Sequence, residues 1–164
     1  MGDEIMDDNA LKRIEKLTQM VSKNNALISG AYARIEVNQR AVQALENEVE
    51  QLRSFLKVVE ADHQSFKSVI SKKIKCVNQI EQVEKMYFKK TYVFDMNNTL
   101  NVITRKCVDV QFGFCEDAIR LKIQENQAKI VSLDSIITTD QLSIGNLNEA
   151  IKGFKKTIRS LKGD

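Results

Sequence analysis

The chain has no proline, no tryptophan and only six glycines in 164 residues. A sheet-rich or loop-rich domain of this length needs many more turn formers, so their scarcity points to one domain of long, uninterrupted helices. Long apolar runs are missing too, and the runs present are too short to span a bilayer. The opening residues, MGDEIMDDNA, carry Asp3, Glu4, Asp7 and Asp8 where a secretory signal carries Lys or Arg followed by an apolar stretch. The expectation is a cytoplasmic chain, or one secreted without a cleavable signal peptide. Gly2 does not open a myristoylation motif, because Met6 stands where that motif needs Ser or Thr. Charge of one sign is also scarce: the net charge of +3 neither demands nor excludes an anionic partner. Cys76, Cys107 and Cys115 fit no metal spacing and leave one thiol unpaired in any disulfide scheme, so reduced, half-buried thiols are expected.

What the chain does have is apolar residues on a metre. Counting in sevens from Ile14 gives Ile14, Val21, Ile28, Ile35, Val42, Val49, Leu56, His63, Ile70 and Val77. Three residues after each lie Leu17, Asn24, Ala31, Asn38, Leu45, Leu52, Val59, Phe66, Lys73 and Ile80. This is the a/d seam of a helix that winds against a partner seam. Asp8 or Asn9 would cap its start. A second seam has isoleucine at every a position, Ile123, Ile130, Ile137, Ile144, Ile151 and Ile158, with Asn126, Leu133, Asp140, Leu147, Phe154 and Leu161 at d. These isoleucines read as packing residues, each contributing about 1.5–3 kcal/mol on burial. Gly145 and Gly153 weaken that helix by about 1 kcal/mol each relative to Ala, which would make sense if another backbone passed close by.

Polar residues interrupt both seams. Asn24 and Asn38 are fourteen apart at d, as are Asn126 and Asp140; such residues set register or partner number at a cost in stability. Side by side in parallel, the two pairs would meet, which requires a third helix and a turn near residue 60, where VVEADHQSF offers no Gly or Pro. The expected fold is therefore all-α, an elongated antiparallel helical hairpin or coiled coil, with a three-helix up-down-up bundle as second choice. Within one domain, 1–164, the boundaries are a long helix over 9–92, a turn at 93–98 and a second helix over 99–162.

The middle is irregular. Met96, Leu100, Ile103, Cys107, Val110 and Phe114 keep a 4-3-4-3 spacing out of phase with both seams. Asp95, Asn97, Asn98 and Thr99 favour the turn at 95–98; QFGFCED, with Gly113 between two phenylalanines, reads as a kink or second break at 112–115 and is the other candidate turn. Tyr87, Phe88, Tyr92, Phe94, Phe112 and Phe114 crowd here, either as an apolar plug closing the hairpin or as a partner-binding tip.

Few residues invite chemistry. His63 at an a position could be a pH switch or a ligand, but one histidine makes no metal site, and a satisfied seam histidine is the simpler reading. Lys73 at d would snorkel its ammonium to water. Lys152, Lys155, Lys156, Arg159 and Lys162 offset the negative end of the last helix and could also meet an acidic protein or an anionic membrane. Nucleic acid is the weakest of these partners, because Phe154 is the lone aromatic residue among the basic ones. SKKIKC, with Lys72, Lys73 and Lys75, is a smaller patch. No phosphate loop, nucleophile–base pair or paired carboxylates stand out, so the expectation is a non-enzyme without cofactor or metal.

The stretch EDAIRLKIQENQAKIVSLDSIITTDQLSIGNLNEAIKGF, residues 116 to 154, resembles the small helical accessory proteins encoded beside LXG-type polymorphic toxins, the YwqH-like family among them. The resemblance implies an adaptor that packs on the helical N-terminal domain of a toxin and helps deliver it to a type VII (ESX-like) secretion machine. Two other roles stay open on the residues alone: a structural coiled-coil scaffold or tether forming a homo-oligomer, and a surface binder acting through the basic C-terminus.

Overall fold

The computed structural model describes residues 8–80 and 89–163, with the backbone alone at Lys89. These residues form α1 (Asp8–Ile80), α2 (Lys89–Asn98), a π-helix (Thr99–Thr104) and α3 (Arg105–Lys162), with no strand among them. Gly163, at φ 80°, ends α3 in the left-handed conformation that glycine adopts without strain. The fold is an all-α antiparallel helical hairpin of two long arms, not a three-helix bundle: α1 passes through residue 60 without a break. Asp8 and Asn9 already lie inside α1, where Asp8 pairs with Lys12 at 2.7 Å, so neither caps it from outside.

The helices group into two units. The first comprises Met1–Leu45 with Lys129–Asp164, the second Glu46–Ala128. In the first unit, Ala31 and Ile35 of α1 share a core with Ile137 and Ile144 of α3, and Ile28 and Val42 pack against it. Ala31 is the most enclosed of these at 2% exposure. In the second unit, contacts climb α1 as they descend the other arm: Glu60 with Arg120, His63 with Glu116, Ser71 with Arg105, Asn78 with Asn97. That order can only be antiparallel. Ile70, Val77, Val93 and Leu100 form this unit's core, with Ile74, Ile80, Met96 and Val108 against it.

The expected turn at 93–98 is not there. Val93 is buried, Asn97 lies in α2 and donates from Nδ2 to Asn78 Oδ1 at 2.7 Å, and the chain has already reversed by Lys89. Burial of Val93 and Leu100 at helical spacing outweighs the turn preference of Asp95, Asn97 and Asn98. The part of the long helix expected over 81–88 lies outside the described residues, as do Tyr87 and Phe88. The described part of the second arm thus starts at Lys89, ahead of residue 99. Nor does a break occur at 112–115, since α3 runs through Gly113.

The irregularity sits instead in the π-helix, which accommodates one more residue per turn than an α-helix does. This explains the metre that fell out of phase. Leu100 faces the core, but beyond the π-helix the inward positions are Val108, Phe112, Glu116 and Ile119, one residue later than an unbroken α-helix would place them. Ile103, Cys107, Val110 and Phe114 are thereby rotated into solvent.

The α1 seam shifts as well. Phe66 and Lys73, its d positions, are exposed, and the half-buried Lys67 and Ile74 take their place. The shift is local: Ile70 and Val77 stay buried at a, and Ile80 returns to the core at d. Lys73 therefore does not interrupt the seam; it lies beside it.

Candidate interaction surfaces

The residues singled out in the sequence mostly face inward. Ile35, Val49, Ile137, Ile144 and Ile151 are buried, and Ile14, Val21, Ile28, Val42, Leu56, Ile123, Ile130 and Ile158 are half-buried. The polar seam residues do not meet in the pairs that a parallel alignment would give. Asp140 receives a two-pronged hydrogen bond from Arg34, Nη2 to Oδ1 at 2.6 Å and Nε to Oδ2 at 3.1 Å. The guanidinium holds the Asp140 carboxyl below the ordinary carboxylate value, through these bonds first and its charge second. Asn126 is wholly enclosed, and neither its Oδ1 nor its Nδ2 has a partner. Asn24 and Asn38 are half-buried. Gly145 and Gly153 have no atom within 4 Å of where a Cβ would stand, so no backbone of this chain crowds them.

His63 is satisfied, and more elaborately than its position suggested. Its Nδ1 lies 2.9 Å from Glu116 Oε1 and its Nε2 3.0 Å from Asp109 Oδ1, while its ring stacks on Phe112 with centroids 4.8 Å apart. Lys67 reaches Asp109 at 3.2 Å, and Arg120 bridges Glu116 and Glu60. Hydrogen bonding to His63 is the main cause holding both Asp109 and Glu116 below their ordinary values, with Lys67 and Arg120 adding to it. The cluster is a polar rung across the hairpin, joining His63 and Lys67 of α1 to Asp109, Glu116 and Arg120 of α3. Among the described residues, no group of three or more His, Cys, Asp and Glu side chains could hold a metal ion.

Two exposed features remain. In the second unit, Val69, Val77, Ile80, Tyr92, Met96 and Leu100 floor an open groove of ≈ 440 Å³, with Lys72, Lys73 and Cys76 also on its walls. Sequence reading marked the lysines and the metre of Met96 and Leu100 but could not join them, because the groove exists only where α1 and α2 lie together. In the first unit, Lys152, Lys155, Lys156 and Arg159 surround an open depression of ≈ 490 Å³. Lys152 is engaged with Glu149 at 2.7 Å, and Lys162 is exposed beyond the depression. No family model, curated protein or solved structure matches the chain.

Two expectations change at these surfaces. The thiols of Cys76, Cys107 and Cys115 are free and exposed, not half-buried. Tyr92, Phe94 and Phe114 are 47%, 71% and 69% exposed, so the described aromatics do not close the hairpin as a plug. Only Phe112 turns inward, onto His63 and Phe66. No helix among the described residues is long and apolar enough to cross a membrane.

Proposed function

We propose that this chain is a non-catalytic helical adaptor whose partner is another helical protein. The observation that supports the reading is the groove between α1 and α2. It has the apolar floor that an amphipathic helix needs, and Lys72 and Lys73 on its walls favour acidic flanks on that helix. The likeness of residues 116 to 154 to the accessory proteins of LXG toxins makes the helical N-terminal domain of a type VII-secreted toxin the first partner to try. The full chain purified with such a domain should form a complex. Lys72→Glu with Lys73→Glu should weaken that complex at least about tenfold, a loss of about 1.4 kcal/mol, with unchanged melting. Undiminished binding by the variant would move the site off the groove, and no binding by any such domain would remove the toxin assignment.

A second reading draws on the first unit. Lys155, Lys156 and Arg159 form no ion pair among the described residues and face solvent around the depression, which suits an anionic surface. Binding to anionic vesicles that disappears on replacing these three residues would favour it.

A further inference from the structure

The outward side of the π-helix and α3 carries, in the second unit, an apolar stripe that no described residue covers. Ile103 is 61% exposed, Val110 45%, Phe114 69% and Leu121 57%, with Cys107 exposed among them. From Cys107 onward the steps are three, four and seven residues, the spacing of a coiled-coil seam, yet the inward seam of the same helix runs through Val108, Phe112, Glu116 and Ile119. A helix apolar on two opposite sides is a helix with two neighbours. This stripe shares no residue with the groove between α1 and α2.

We infer that the second neighbour is α3 of another copy of this chain, laid antiparallel about a two-fold axis level with Phe112. That register sets Val110 against Phe114 of the second copy and Ile103 against its Leu121, and the symmetry repeats both contacts. Charge selects it. Lys106 is exposed and forms no ion pair within the described chain, while Asp117 is 79% exposed on its side chain and has only a 3.4 Å approach from Arg120. Both lie on one flank of the stripe, and antiparallel helices bring like flanks together, so Lys106 meets Asp117 of the second copy twice. A parallel pairing brings unlike flanks together instead and forms neither contact. Gly113 and Ala118 border Phe114, and no atom lies within 4 Å of a Cβ placed on Gly113, which leaves room for a close second backbone.

Four large apolar side chains per copy bury on the order of 1,000 Å² in total, the small end of specific interfaces, so the dimer is reversible. Sedimentation velocity of the full chain from about 1 to 500 µM should show a mass rising from monomer to dimer. Phe114→Glu should abolish the rise while leaving helicity and melting unchanged, since Phe114 supports nothing inside the hairpin. Asp117→Lys should weaken the dimer about tenfold, and adding Lys106→Asp should restore it, a rescue that only this antiparallel register predicts. A mass that stays monomeric across the range overturns the inference, as does a dimer indifferent to Phe114→Glu or a charge swap without rescue. A monomer whose stripe binds an added amphipathic helix also overturns it, by naming a different occupant. Toxin-domain binding retained by Phe114→Glu leaves the adaptor reading standing by itself.

Discussion

Asn126 is the residue whose chemistry is least served by the fold. It is wholly enclosed, and both polar atoms of its amide lack partners, a condition that costs about 1–3 kcal/mol per group. Leucine is close in size and suits a d position. Asn126→Leu should therefore stabilise the protein by about 1–3 kcal/mol in urea unfolding; a loss of stability would mean that the amide has a role the hairpin does not reveal. Asp140 is the opposite case, a seam carboxylate fully engaged by Arg34. Its value is depressed below 3.8 in the folded state, as those of Asp109 and Glu116 are depressed below their ordinary 3.8 and 4.5. A group depressed on folding contributes stability above its unfolded value and loses it as pH falls through the folded one. Urea midpoints should hold from neutrality down to the ordinary carboxylate range, then drop below it. Asp140→Asn, already without the ionised group, should start lower and drop less.

At the scale of elements, the π-helix is the structural decision that matters most. It sets the phase of α3, brings Asp109 and Glu116 to His63, and turns Ile103, Cys107, Val110 and Phe114 outward. Deleting Asn101, an exposed residue within it, should let the turn close as α-helix and rotate the following inward residues by about 100°. The predicted result is a lower melting temperature and loss of the His63–Glu116 contact by NMR; unchanged melting with that contact intact would contradict the phase argument. The sequence made the arms legible because strict apolar spacing survives any loop chemistry, as the all-isoleucine ridge and the row from Ile14 to Val77 show. It misplaced the reversal because Asp95, Asn97 and Asn98 are turn formers whose local preference yields to burial of Val93 and Leu100. It could not show the π-helix, since no residue type marks an inserted position, nor Arg34 as the partner of Asp140, since that pairing needs the antiparallel register first.

For the whole molecule, function follows from what the hairpin leaves uncovered. The groove with its lysine walls and the outward stripe belong to one unit, and the basic depression belongs to the other; under the proposed reading all three are surfaces of grip. Each depends on α1 packing antiparallel against the opposite arm within one chain. Methyl-labelled NMR measures that packing directly, with labelled and unlabelled protein mixed to separate contacts within a chain from those between chains. Intrachain cross-peaks should join Ile35 to Ile137 or Ile144, and Val77 to Val93 or Leu100. Cross-peaks from α1 that arise only between chains, or none to these partners, would contradict the hairpin and every surface built on it.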